Sequence, residues 1–212
     1  MKVTALIPVY NEEKTITGVL QVLKEDPLVD EILVIDDGST DNSAALARSM
    51  GVQVISLEKN QGKGAALECG IEHIDSEIIL MLDGDLLGLT DRHINLLLNP
   101  VLNKQCDMTI GVFSHGRGGT DLAQLLAPHL SGQRAVRTSL IKGIKNLADC
   151  GYGVELAINE YVRKRGRIEY IELPQLTHVM KEEKRGFVRG TRDRLNMYAD
   201  LIKTSLENLK KR

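Results

Sequence analysis

The chain has 212 residues, 42% of them hydrophobic and 26% charged, with a formal net charge of -2. That length suits one domain able to bury about 70% of its unfolded surface, and the near-neutral charge excludes a strongly basic nucleic-acid binder. Its apolar runs fall short of the ~20 residues of a membrane span, and the opening MKVTALIPVYNEE turns charged too soon for a signal peptide.

In chain order, VTALIPV reads as a short β-rich run. EEKTITGVLQVLKED places Ile16, Val19, Leu20 and Leu23 at helical spacing. EILVIDD is a second strand. STDNSAALARSMG is a helix with Ser39 or Thr40 as its N-cap and Gly51 as its stop. VQVISLE, GKGAALECGIEHI and EIILMLD continue as strand, helix and strand. Apolar strands alternating with helices predict an α/β fold, a mostly parallel central sheet flanked by helices in Rossmann-like fashion.

The second half is less regular. MTIGVF (108–113) reads as a fifth strand and HGRGGTD as a turn. LAQLLAPHL and TSLIKGIKNLAD read as helices, as does GVELAINEYVRKRG with Gly166 as its C-cap. RIEYIEL (167–173) alternates like a half-exposed strand. From Arg189 onward Leu195, Tyr198, Leu201, Ile202, Leu206 and Leu209 form one apolar stripe on a long helix. That stripe and the KKR end leave three uses open: packing on the core, a homodimer, or peripheral contact with a membrane surface. We expect a single domain over 1–212, with residues 1–88 as a nucleotide-sugar half and 89–212 as an acceptor half. Cys69, Cys106 and Cys150 are odd in number and form no C-x-x-C pair. They read as reduced thiols of a cytoplasmic protein.

Parallel sheets bind ligands at the carboxyl ends of their strands. PVYNEE, DDGSTD, NQGKG and DGD all fall there. Asp83 and Asp85, at the end of an apolar strand, repel each other unless a cation lies between them. Oxygen ligands of this kind suit a hard ion such as Mg²⁺; helix capping is the alternative duty. The intervening Gly84 is expected to let the backbone turn sharply. In NQGKGAAL a cation, Lys63, stands beside glycines at a helix start, where backbone N–H groups favour anions. The segment lacks the GxxxxGK[ST] spacing of a P-loop. Asp36 and Asp37 are placed to accept a ribose hydroxyl or a base N–H, while Ser39, Thr40 and Asp41 suit turn and capping duty.

LIPVYNEEKTI, EILVIDDGSTDNS, NQGKGAAL and LMLDGDL, in this order and spacing, resemble the family 2 glycosyltransferases and their A-type fold. The resemblance implies that Pro8, Tyr10, Glu12 and Asp36 or Asp37 face the base and ribose. It makes Asp85 the principal metal ligand, with Asp83 nearer the ribose and sugar. GGTDLAQLLAPHLSGQRAVR, GYGVE and THVMKEE are similar to segments of the retaining glucosyl-3-phosphoglycerate synthases. By that similarity Gly119 and Thr120 hold the acceptor, Glu155 sits at the sugar, and His178 completes a Mg²⁺ or Mn²⁺ site. Gly132, Gln133 and Arg134 stand where those enzymes carry a Gly-Glu-Tyr sugar segment. His73, His93, His115 and His129 are given no role.

The function expected is metal-dependent transfer of a hexose, glucose from UDP-glucose, to a small or phosphorylated acceptor, with retention. The alternative is an inverting family 2 enzyme acting on a lipid phosphate. A sugar-1-phosphate nucleotidyltransferase fits less well, since PVYNEEKT has no glycine after the first strand. An inactive nucleotide-sugar-binding module fits poorly with an intact DGD and Lys63.

Overall fold

A computed structural model describes residues 1–113 and 131–178. The strands are β1 (Val3–Val9), β2 (Glu31–Asp36), β3 (Gln53–Ser56), β4 (Ile78–Met81), β5 (Leu86–Leu87), β6 (Met108–Phe113), β7 (Arg134–Arg137), β8 (Ile168–Leu173) and β9 (Thr177–His178). The helices are α1 (Ile16–Glu25), α2 (Ser43–Ser49), α3 (Lys63–Glu72), α4 (Asp91–Leu102), α5 (Thr138–Ile141) and α6 (Val154–Arg163), with a 3-10 segment at Leu147–Gly153. The seven-stranded sheet runs in the order β3-β2-β1-β4-β7-β6-β8, and β5 and β9 form a separate pair. Within the large sheet β7 alone is antiparallel to its neighbours. The mostly parallel α/β expectation is met. Among the described residues no helix is long and apolar enough to cross a membrane.

The sheet is apolar on both faces, as strands sandwiched between helices must be. Ala5, Ile7, Val34, Ile78 and Leu80 pack with α1 and α4, while Leu6, Leu33, Ile35, Ile79 and Met81 pack with α3 and α6. The chain leaves β1 toward β2 and β3, then returns to place β4 on the other side of β1. That reversal opens a crevice at the carboxyl ends of β1 and β4, the ligand position of such sheets.

Several local expectations are corrected. Helix α2 starts at Ser43 with Asn42 as its N-cap residue, because Ser39 and Thr40 bond to Asn11 instead. The run TSLIKGIKNLAD is not one helix. It stops after Ile141, and Asn146 turns through φ 62°. Glu68 of α3 then accepts the backbone N–H groups of Asn146 and Ala148 and pins the 3-10 segment. Helix α6 ends at Arg163 with Lys164 as its C-cap residue. Gly166 lies beyond it, where a Cβ would sit 3.0 Å from Asp107. Gly84 does not have a positive φ; close approach to β1 is its reason, since a Cβ there would lie 3.1 Å from Val9 and 3.6 Å from Glu12. The helix α4 and the strand β7 were not expected. LAQLLAPHL and the long C-terminal helix fall outside the described residues.

Two glycines test this packing with opposite signs. In α3 a Cβ on Gly64 would lie 2.1 Å from the Leu147 carbonyl oxygen. Gly64→Ala should therefore destabilise by about 1–3 kcal/mol, despite the roughly 1 kcal/mol that helix propensity favours. Gly18 in α1 has nothing within 4 Å, so Gly18→Ala should stabilise by about 0.5–1 kcal/mol. Urea midpoints moving in the same direction for both would contradict this account.

Candidate functional site

At the crevice the β1–α1 and β2–α2 loops are sewn together. Asn11, at φ 57°, donates its N–H to Ser39 Oγ at 3.0 Å and accepts from the Thr40 N–H at 2.8 Å. Asp41 accepts from Ser43 N–H at 2.9 Å, Ser43 Oγ at 2.6 Å and Glu13 N–H at 3.2 Å. Burial disfavours the charged Asp41 carboxylate, but these donors outweigh it and hold the group below its ordinary value. Ser39, Thr40 and Asp41 thus do the turn work expected of them.

Asp36 and Asp37 are both buried and act differently. Asp36 Oδ1 accepts from the Ser39 N–H at 3.1 Å. Asp37 places one oxygen on the Gln61 N–H at 2.7 Å and the other on the Gly62 N–H at 2.8 Å. It is the anchor of the glycine loop that begins α3 and therefore sets where Lys63 starts. Pro8 and Tyr10 lie half-buried at the end of β1. Thr15 donates its hydroxyl to the Gly84 carbonyl at 2.8 Å, binding the first loop to the aspartate loop.

The centre of the site is an ion cluster. Lys63 Nζ lies 2.6 Å from Asp83 Oδ1 and 2.7 Å from Glu155 Oε1. The positive charge that two close carboxylates demand is thus supplied, at Asp83, from α3. Burial by itself disfavours the Lys63 ammonium, but Asp83 and Glu155 outweigh it and raise the lysine above its ordinary value. Burial would likewise raise the Asp83 carboxyl; Lys63, with His178 and Arg134 behind it, brings it below the usual carboxylate range.

The antiparallel β7 delivers the rest. Met81 pairs with Arg134 in the ladder, so the residues just before β7 meet those just after β4. Gly132 is needed there, since a Cβ would lie 2.5 Å from Lys63 Nζ and 2.6 Å from Asp83 Oδ1. Gln133 donates from Nε2 to Asp83 Oδ2 at 3.2 Å. Its Oε1 is buried without a hydrogen-bond partner. Arg134 was expected beside an acceptor or sugar, yet it is 1% exposed. Its guanidinium donates to Asn159 Oδ1 at 2.9 Å and to the Ser131 carbonyl at 2.5 Å. It floors the pocket lined by Pro8, Lys63, Asp83 and Glu155. Burial lowers its pKa while Glu155 and Asp83 oppose that shift, so it remains a second cation under the carboxylates.

Asp85 stands one residue before Leu86, which pairs with His178 across the β5–β9 ladder. His178 is exposed and packs against Phe113 with ring centroids 5.6 Å apart. Two carboxylates and an imidazole are a donor set fit for Mg²⁺ or Mn²⁺. Among the described residues no group of three His, Cys, Asp or Glu side chains is placed to hold a metal ion by itself. Gly119 and Thr120 fall outside the described residues. His93 and Asn159, which received no role from the sequence, are both buried polar groups beside this edge; a capping-box spacing from Thr90 to His93 was the signal for the first.

The glycosyl transferase family 2 model matches residues 4–154. Glucosyl-3-phosphoglycerate synthase of Mycobacterium tuberculosis is 28% identical, in an alignment of 194 residues that takes in 74% of this chain and 59% of the relative. Glycosyltransferase AglJ of Haloferax volcanii is 31% identical over 191 residues, covering 77% of this chain and 59% of the relative. The chain thus spans less than two thirds of the length of these curated relatives. A crystal structure of the M. tuberculosis synthase with Mn²⁺, UDP and glucosyl-3-phosphoglycerate superposes with a TM-score of 0.73 at 26% identity, covering 84% of this chain and 72% of that one. With the family model matched over residues 4–154, across both β4 and β7, this chain belongs to glycosyl transferase family 2.

Proposed function

We propose that this glycosyltransferase moves glucose from UDP-glucose to a small, phosphorylated acceptor, with a divalent cation and with retention at the anomeric carbon. The observation that carries this reading is the meeting of Asp83, Lys63, Glu155 and Gln133 at one point of the β1–β4 crevice. The similar synthase was crystallised with Mn²⁺ and UDP-glucose and with Mg²⁺ and UDP, which supports the choice of donor and ion.

In this reading Asp85, Asp83 and His178 would hold Mg²⁺ or Mn²⁺, which would supply a Lewis acid to the diphosphate. Pro8, Tyr10, Glu12 and Asp36 border the base and ribose, while Asp37 serves them by holding the loop before Lys63. Lys63 stays protonated and adds positive charge where the leaving group gains negative charge. Glu155 lies at the sugar, oriented by Lys63. The Gln133 Oε1 accepts a hydrogen bond from a sugar hydroxyl, which satisfies a buried acceptor that otherwise costs stability.

Thermal shifts with UDP, GDP and UDP-glucose, with and without Mn²⁺, test the core of the proposal. UDP at 100 times its dissociation constant should stabilise by about 2.7 kcal/mol, only with metal, and Asp85→Ala should abolish the shift. An equal shift in the mutant would remove the metal role. Anomeric configuration of the product, read by NMR, should match the donor; inversion on a lipid phosphate acceptor would replace this reading with its rival.

Gln133→Met should leave UDP affinity unchanged and weaken UDP-glucose about 5–10-fold, the worth of one hydrogen bond. Equal losses for both ligands would place Gln133 away from the sugar. Lys63→Met should destabilise the protein by about 1–3 kcal/mol at neutral pH, less than a fully buried pair would lose. The folded-state value of Lys63 lies above the unfolded one, so its contribution is lost as pH rises from about 10.4 through the folded value; Asp83, held below the usual range, loses its side of the pair as pH falls through its own folded value. Urea stabilities of wild type and mutant should therefore converge at strongly alkaline and at strongly acidic pH; a gap that closes near neutrality would contradict the assignment.

A further inference from the structure

His93 belongs to no part of the machinery described so far, and both of its ring nitrogens are engaged. It is 3% exposed. Nε2 lies 2.8 Å from the Pro174 carbonyl oxygen; a carbonyl only accepts, so Nε2 carries the proton. Nδ1 of the neutral ring is then the acceptor for the Thr90 N–H at 3.1 Å. The imidazole therefore ties the first turn of α4 to the turn after β8. In that turn Gln175 is held at φ 66°. Gly88, at φ 79°, approaches so closely that a Cβ on it would lie 3.0 Å from the Gln175 carbonyl oxygen. Leu176 is buried, and the next two residues form β9.

Among the described residues the ladder between β5 and β9 comprises the pairs Leu86–His178 and Leu87–Thr177. A pair of strands apart from the main sheet is marginal without support. His93 and Gly88 supply that support from the far side of the turn. We infer that His93 is a positioning residue: it clamps Pro174 so that His178 is presented beside Asp83 and Asp85. This rests on the reading of His178 as a metal ligand. Groups hydrogen-bonded directly to a metal ligand are worth about 10–100-fold in metal affinity; a clamp that acts through the turn is expected at the low end of that range.

Electron spin echo spectra of Mn²⁺ bound with UDP test it, because a coordinated imidazole gives a ¹⁴N coupling that a merely structural role would not alter. The wild-type protein should show that coupling and His178→Ala should lack it. His93→Asn still caps Thr90 but is too short to reach Pro174. It should lose the coupling and bind Mn²⁺ about tenfold more weakly, while its far-UV circular dichroism stays that of the wild type. His93→Gln, long enough to donate to Pro174, should restore much of both. The double variant with His178→Ala should bind Mn²⁺ no more weakly than His178→Ala alone. Retention of the coupling and affinity in a folded His93→Asn protein overturns the inference while leaving His178 a ligand. No ¹⁴N coupling in the wild type removes His178 from the metal, and the role of His93 with it.

Discussion

The Lys63 ammonium between Asp83 and Glu155 is the contact on which the rest of the site depends. These groups come from the start of α3, the loop after β4 and the start of α6. None of the carboxylates could be withdrawn from water at this edge without a counter-charge. Arg134 below them supplies a second one and is itself held by Asn159 and Ser131. The cluster is thus close to neutral as a unit, while its members remain ionised. An environment of fixed, paired charges costs little to reorganise when a charged ligand enters.

The arrangement is held from several directions. Asp37 grips the two amides before Lys63, and so determines where the lysine begins its reach. Thr15 and Gly84 join the first loop to the aspartate loop. Gly132 leaves the space in which Lys63 and Asp83 touch. On the far side, His93 and Gly88 hold the turn that leads to His178. The side chains that face the ligand crevice are few; a larger number of polar groups hold backbone in place so that those few point inward.

Gln133 serves the cluster with a neutral amide rather than a charge. An additional carboxylate beside Asp83 would add repulsion, whereas the amide donates to Asp83 and keeps a buried carbonyl oxygen without a partner.

Much of this was legible in the residue order. Apolar strands alternating with helices in the first 81 residues, with glycine and acidic residues after the strands, determined the parallel α/β half and the ligand edge. Those patterns are local, governed by periodicity and turn chemistry, so they can be read without knowing neighbours. Asp83, Asp85 and Lys63 were visible as candidates for the same reason. What the sequence alone did not determine was which of them meet. Strand β7 is four residues long with an arginine at each end, a pattern that reads as surface. Only its insertion between β4 and β6 makes Arg134 a buried cation and brings Gly132 and Gln133 to Asp83. Helix α4 carries a proline near its end that masks its period, and His93 looked like an ordinary histidine until Pro174 lay against it. Contacts between residues 50 to 92 positions apart, such as Asp83 with Gln133 and Lys63 with Glu155, are decided by strand order and direction. Strand order reflects how whole sheets and helices bury their faces, and no local stretch of sequence carries that information.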